Sequence, residues 1–231
     1  MHRRGYGKVL AAAAGGALLG AALSTPRGLH LITSIPAFAL DRELFRYRGF
    51  LVASIAAWAL FNLYWEAAAK NASAAKNSES KSSRGLHVFL VNAAFLLEIM
   101  PIHGLGRFWP AYPLIMAAGL AVEAAGLFLA IWARRHLGRH WSGEITIKVE
   151  HQLIRSGPYR LLRHPIYTGL LTMYAGVALV TGEWLAVIGV AVAVSAYWRK
   201  IRLEETTLGV AFGAEYDAYR RGTWALLPGL F

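Results

Sequence analysis

The sequence predicts an all-α, polytopic integral membrane protein of about five to six transmembrane helices, with a polar cap formed by its C-terminal part. Three observations carry this. Hydrophobic residues make up 56% of the 231-residue chain and its mean hydropathy is +0.41, above what a water-soluble domain of this size carries. Six apolar stretches approach the roughly 20 residues that a helix needs to satisfy its own backbone across a hydrocarbon core about 30 Å thick. Nineteen of the 24 Lys and Arg residues fall in alternate loops, as expected when basic loops stay on the cytoplasmic side.

The stretches run from Val9 to Ser24, Phe50 to Trp65, Leu86 to Met100, Pro110 to Ala133, Tyr167 to Thr181 and Trp184 to Trp198. The first, preceded by Arg3, Arg4 and Lys8 and ending Ala22-Leu23-Ser24, also fits a cleaved signal peptide; either reading leaves Thr25 outside. The Arg27 to Arg48 loop fits the charge rule poorly, and its apolar run Leu29 to Leu40 reads as re-entrant or interfacial. Lys70 to Arg84 is small, polar and almost free of hydrophobes, the composition of a flexible cytoplasmic loop. Only Gly182 and Glu183 separate the last two stretches, which makes them an antiparallel helical hairpin. Most tryptophans stand near span ends, as an interfacial belt requires. Residues 1–133 therefore form a transmembrane scaffold, and 134–231 a cap loop, a hairpin and a cytoplasmic tail. Both termini are expected on the cytoplasmic side.

Several function classes are excluded or weakened at this level. No cysteine is present, so disulfides, thiolate metal sites and cysteine nucleophiles are out. A net charge of +11 does not mean nucleic acid here, because the basic residues lie between apolar stretches, where membrane lipids are the expected partners. Gly104-Leu105-Gly106 lacks the third glycine and the strand–helix context of a dinucleotide fold. His136 and His140 have a metal-compatible spacing, but interfacial hydrogen bonding is the simpler role and no metal site is expected. Glu98 and Glu123 fall inside spans, where they are costly and mark either helix contacts or a polar cavity.

Chemistry concentrates between His136 and Pro165 and again after Trp198. Ser156-Gly157-Pro158 is a turn, and Arg163-His164-Pro165 opens the fifth span with a proline suited to a helix start. Free N–H groups there, together with Arg163 and His164, would favour an anion. The hairpin should bring this segment beside Glu204 and Glu205, two adjacent carboxylates that need partners at a membrane surface. Carboxylates suited to ribose hydroxyls or an ammonium, cations for a carboxylate, and Tyr159 and Tyr167 for a flat ring or a cation together suit S-adenosylmethionine. Interfacial anchors and surface ion pairs would read much the same.

From Glu144 to Pro228 the chain resembles the isoprenylcysteine carboxyl methyltransferases and, more broadly, the membrane methyltransferases that include phospholipid methyltransferases. The resemblance is carried by an ordered set: His151-Gln152-Leu153-Ile154, Gly157-Pro158-Tyr159, Arg163-His164-Pro165-Ile166-Tyr167 with Gly169, Glu204-Glu205 with Leu208, Phe212-Gly213, and Glu215-Tyr216 with Tyr219. It implies that S-adenosylmethionine is held by Glu144, His151, Gln152, Leu153, Ile154, Tyr159, Arg163, His164, Pro165, Ile166, Tyr167 and Glu204, and that a lipophilic or small-molecule substrate, a prenylated cysteine among the candidates, enters from the bilayer. Where the eukaryotic enzymes carry an arginine for the substrate carboxylate this chain has Lys200, which keeps the charge without the two-pronged fork; Arg202 and Arg199 are the neighbours able to compensate. An amine acceptor would need a base, for which Glu205 or His151 is placed. Phospholipid N-methylation, thiol S-methylation, an NADPH-dependent sterol-reductase-like enzyme and a non-enzymatic transporter or scaffold are the other readings.

Overall fold

The computed structural model describes residues 47–69, 79–99, 106–141 and 153–229. These residues form six α-helices: α1 Arg48–Ala69, α2 Lys81–Ile99, α3 Pro113–Leu137, α4 Pro165–Thr181, α5 Trp184–Phe212 and α6 Ala214–Arg221, with 3-10 turns at Gly138–His140 and Gly157–Arg160. The first predicted span and nearly all of the Arg27 to Arg48 loop lie outside them. By length and hydropathy α1, α3 and α5 can each cross a membrane, and α4 is a shorter apolar helix. Large apolar side chains such as Leu60, Leu63, Phe89, Leu114 and Phe128 point outward, the inside-out exposure suited to lipid.

Two expectations are corrected. Part of the loop predicted from Lys70 to Arg84 is the first turn of α2, because its serines act as caps: the Ser83 N–H donates to Ser80 Oγ at 3.2 Å and the Arg84 N–H to the Ser80 carbonyl at 3.1 Å. The sixth span does not end at Trp198. No glycine or proline interrupts the chain between Trp198 and Gly209, and α5 extends to 29 residues, about 44 Å at 1.5 Å per residue. Glu204 and Glu205 therefore ride on the same rigid helix that crosses the bilayer.

The helices pack through glycines whose role the sequence reading did not assign. Gly119 and Gly126 of α3 face Gly176 and Gly169 of α4: a Cβ at Gly126 would stand 2.5 Å from the Gly169 carbonyl oxygen, and one at Gly176 would stand 2.7 Å from the Glu123 backbone nitrogen. In lipid, where burial of apolar surface does not drive association, such close backbone approach supplies the dispersion contact. α5 likewise lays Gly189 against Ala94 and Glu98 of α2. The α4–α5 connection is the tight turn expected, with Gly182 left-handed at φ +66, yet α4 packs chiefly on α3 and α5 chiefly on α2. Glu98 and Glu123 are buried between these helices, and Ser54 Oγ of α1 donates to Glu123 Oε2 at 2.6 Å.

Candidate active site

The site assembles where α4 begins and α5 leaves the bilayer. His164, the residue before α4, is 4% exposed; its Nδ1 lies 3.4 Å from Glu204 Oε2 and its Nε2 3.3 Å from Glu205 Oε1. Only the imidazolium can offer N–H groups to both carboxylates at once. Burial alone would lower its pKa, but hydrogen bonds and charge from Glu204 and Glu205 outweigh burial and raise it above the usual histidine value. Glu204 also accepts a hydrogen bond from the Tyr167 hydroxyl at 2.5 Å and remains 22% exposed. Glu205 accepts from Arg163 Nε at 2.7 Å, and Arg220 Nε stands 3.7 Å away. The two costly carboxylates thus find the partners their position demands.

The C-terminal tail locks this arrangement. The Arg163 and His164 N–H groups donate to the carbonyls of Trp224 and Ala225 at 2.8 and 3.1 Å, and the Trp224 N–H returns a bond to the Leu161 carbonyl. Arg163 Nη1 reaches the carbonyls of Arg220 and Thr223, Thr168 Oγ1 donates to that of Leu226 at 2.7 Å, and the Tyr219 hydroxyl donates to that of Tyr159 at 2.7 Å. The N–H groups of Arg163 and His164, just before the helix start at Pro165, are thus taken up by the tail and are not open to an anion. The Arg163 side chain is likewise occupied by Glu205 and the tail, which makes it a positioning residue.

Aromatic rings wall the Glu204 side. Tyr167 stacks on His164 with centroids 5.6 Å apart and planes 10° apart, and Tyr197 lies 5.2 Å from Tyr167. Tyr159 is buried and stacks on His136, whose Nε2 is 2.8 Å from Ser156 Oγ; burial, with the Glu204 charge added, pushes the Tyr159 phenol well above its ordinary range. Pro165 and Ile166 are buried as packing, and Leu153 and Ile154 are half-buried, Ile154 against the core. Glu144, His151 and Gln152 lie outside the described residues.

Arg202, expected as a neighbour able to compensate at Lys200, is separated from it by helix geometry. Two residues advance an α-helix by about 200°, so Arg202 faces away from Glu204 and is exposed. Lys200, one turn before Glu204, is buried with Nζ 3.9 Å from Glu79 Oε2 at the start of α2. Glu79 was invisible to sequence reasoning, since nothing in the chain pairs it with a residue so distant. Tyr197 was findable: seven residues before Glu204, it shares that helix face.

Comparisons with known proteins place the chain among membrane methyltransferases. A family model described as phospholipid methyltransferase matches residues 114–215. The protein-S-isoprenylcysteine O-methyltransferase A of Arabidopsis thaliana is 30% identical over 140 residues, covering 58% of this chain and 68% of that protein. A probable protein-S-isoprenylcysteine O-methyltransferase of Oryza sativa subsp. japonica is 29% identical over 136 residues, covering 58% and 69%. A solved eukaryotic intramembrane Ras methyltransferase, an isoprenylcysteine carboxyl methyltransferase, superposes with a TM-score of 0.55 at 17% identity, over 93% of this chain and 75% of that one, which shows a shared fold. The class is thus a multi-pass membrane methyltransferase. Within it, the chain belongs to the isoprenylcysteine O-methyltransferase family, and the reductase and transporter readings are set aside.

Proposed function

We propose that the chain transfers a methyl group from S-adenosylmethionine to a lipophilic acceptor that bears an anionic nucleophile and enters from the bilayer, with the site on the cytoplasmic side. The observation that carries the reading is the His164 clamp, which fixes a partly exposed carboxylate, Glu204, beside aromatic rings at the membrane surface. These residues suit the cofactor chemically: Glu204 for its ammonium or ribose hydroxyls, and the faces of Tyr159, Tyr167 and Tyr197 for a positive centre and a flat base. Bound there, the cofactor supplies an electrophilic methyl on a sulfonium sulfur. His164 and Arg163 hold the carboxylates in place, Tyr167 orients Glu204, and the tyrosine wall excludes water, so the protein contributes alignment and a low dielectric. Glu144, His151, Gln152, Leu153 and Ile154 complete the set assigned to the cofactor by family resemblance.

Glu205 is a poor proton acceptor, because Arg163, His164 and Arg220 already surround it. That favours an acceptor needing no base, a carboxylate or thiolate, over an amine, and Lys200 supplies positive charge on the Glu204 face. A prenylated cysteine carboxylate, the acceptor in the names of the relatives, fits this chemistry. The fall of 19 of the 24 Lys and Arg in alternate segments between the predicted spans supports the cytoplasmic assignment. The test is methyl transfer from labelled S-adenosylmethionine offered N-acetyl-S-farnesylcysteine, an aminophospholipid and a small thiol in parallel. Label on the farnesylcysteine carboxylate is expected; label on the amine alone would reject the anionic acceptor.

A further inference from the structure

On the side of α5 turned away from Glu204 lies a cleft of about 540 Å³, bounded by the tail and by Arg163, Trp198, Ile201, Arg202, Glu205 and Arg220 among others. Its charge is uneven. Arg163 and Glu205 neutralise each other in the depth of the cleft at 2.7 Å. Arg220 is 59% exposed and stands 3.7 Å from Glu205 Oε2. Arg202 is exposed, and its guanidinium makes no hydrogen bond or ion pair among the described residues; only its backbone carbonyl accepts one, from Thr206 Oγ1. With one carboxylate among three guanidiniums, the cleft is net cationic, while Ile201, buried at its base, and Trp198 are apolar.

The depth of the cleft is set by α5. Twenty residues of helix from Trp184 cover about 30 Å, which puts the hydrocarbon boundary close to Leu203. Trp198 then lies about 7.5 Å inside that boundary and Arg202 at the boundary itself, one turn apart on one face. A ligand that fits has an acyl chain beside Trp198 and Ile201 and an anionic phosphate between Arg202 and Arg220. We propose that this cleft binds the headgroup of an anionic membrane phospholipid, at a position that adjoins the methyl-transfer site across the Arg163–Glu205 pair. The ammonium of a zwitterionic lipid would meet the same guanidiniums unfavourably, so the cleft selects negative net charge.

The test is equilibrium binding of fluorescent short-chain phosphatidylglycerol and phosphatidylcholine to the full chain in neutral detergent. The wild type is expected to prefer phosphatidylglycerol by about tenfold, an advantage that shrinks with added salt. The double substitution Arg202→Ala/Arg220→Ala should remove the preference without moving the melting temperature, and Arg202→Lys/Arg220→Lys should retain most of it. If the double alanine variant does not fold, Arg202→Gln alone, at an exposed position, is expected to lose part of the preference. No preference in the wild type, an undiminished preference in the alanine or glutamine variant, or displacement of the lipid by millimolar inorganic phosphate as effectively as by unlabelled phosphatidylglycerol would overturn the proposal.

Discussion

Replacing His164 with glutamine removes the one cation that two carboxylates share. In the native site its ring nitrogens lie 3.4 and 3.3 Å from Glu204 and Glu205, whose side chains are 22% and 14% exposed. Breaking a buried ion pair from one side costs about 3–5 kcal/mol. The lower end applies here, because Glu205 keeps Arg163 and Glu204 keeps the Tyr167 hydroxyl. About 3 kcal/mol corresponds to a fall of roughly 6–12 °C in melting temperature for a chain of this size. The pH dependence has a definite sign. Since the folded-state pKa of His164 is raised above 6.5, its contribution is fully present below 6.5 and is lost as pH rises through the raised value. The gap between wild type and His164→Gln should therefore be widest in mild acid and close on the alkaline side. Melting curves of both proteins across pH, in one detergent, measure it; a gap that is small at acidic pH, or that does not change with pH, refutes the imidazolium clamp.

Gly169→Ala should place a Cβ 2.6 Å from the Gly126 carbonyl oxygen and 2.7 Å from the Ala130 backbone nitrogen; neither atom can rotate away, so α3 and α4 must separate at a cost of about 1–3 kcal/mol, read as a lower melting temperature together with weaker cofactor binding. Tyr219→Phe removes the buried hydrogen bond to the Tyr159 carbonyl and should cost about 1–2 kcal/mol, with faster proteolysis after Tyr219 as the tail loosens. Arg155→Ala breaks an exposed ion pair with Glu215 and should leave melting unchanged within error, as surface pairs of this kind do.

The helical membrane class was legible because hydropathy and loop charge are properties of short stretches. The meeting of Arg163 and His164 with Glu204 and Glu205 was legible for a related reason: across a two-residue turn, the two segments stand at similar distances along the chain from Gly182 and Glu183, which leaves little freedom in where they meet. Legibility failed where one segment's role depends on a distant one. The closure of the site by Trp224 and Ala225, and the Glu79 carboxylate beside Lys200, are contacts across long stretches of chain with no local signature. The glycines of α3 and α4 were visible and recur at seven-residue spacing, but which of them face each other depends on the register between helices. Arg202 failed differently. Its grouping with Lys200 treated the chain after Trp198 as an emerging segment, and once α5 is known to continue to Phe212, the 3.6-residue period separates the two.

Equilibrium binding of S-adenosylhomocysteine and of NADPH to the purified full chain, wild type and Glu204→Ala, tests the account at its centre. Wild-type binding of S-adenosylhomocysteine, little or no binding of NADPH, and a large loss with Glu204→Ala in a variant that still shows a cooperative melt are expected. A well-folded wild type that does not bind S-adenosylhomocysteine, or a Glu204→Ala variant that binds it as well as the wild type, would contradict the assignment of this site.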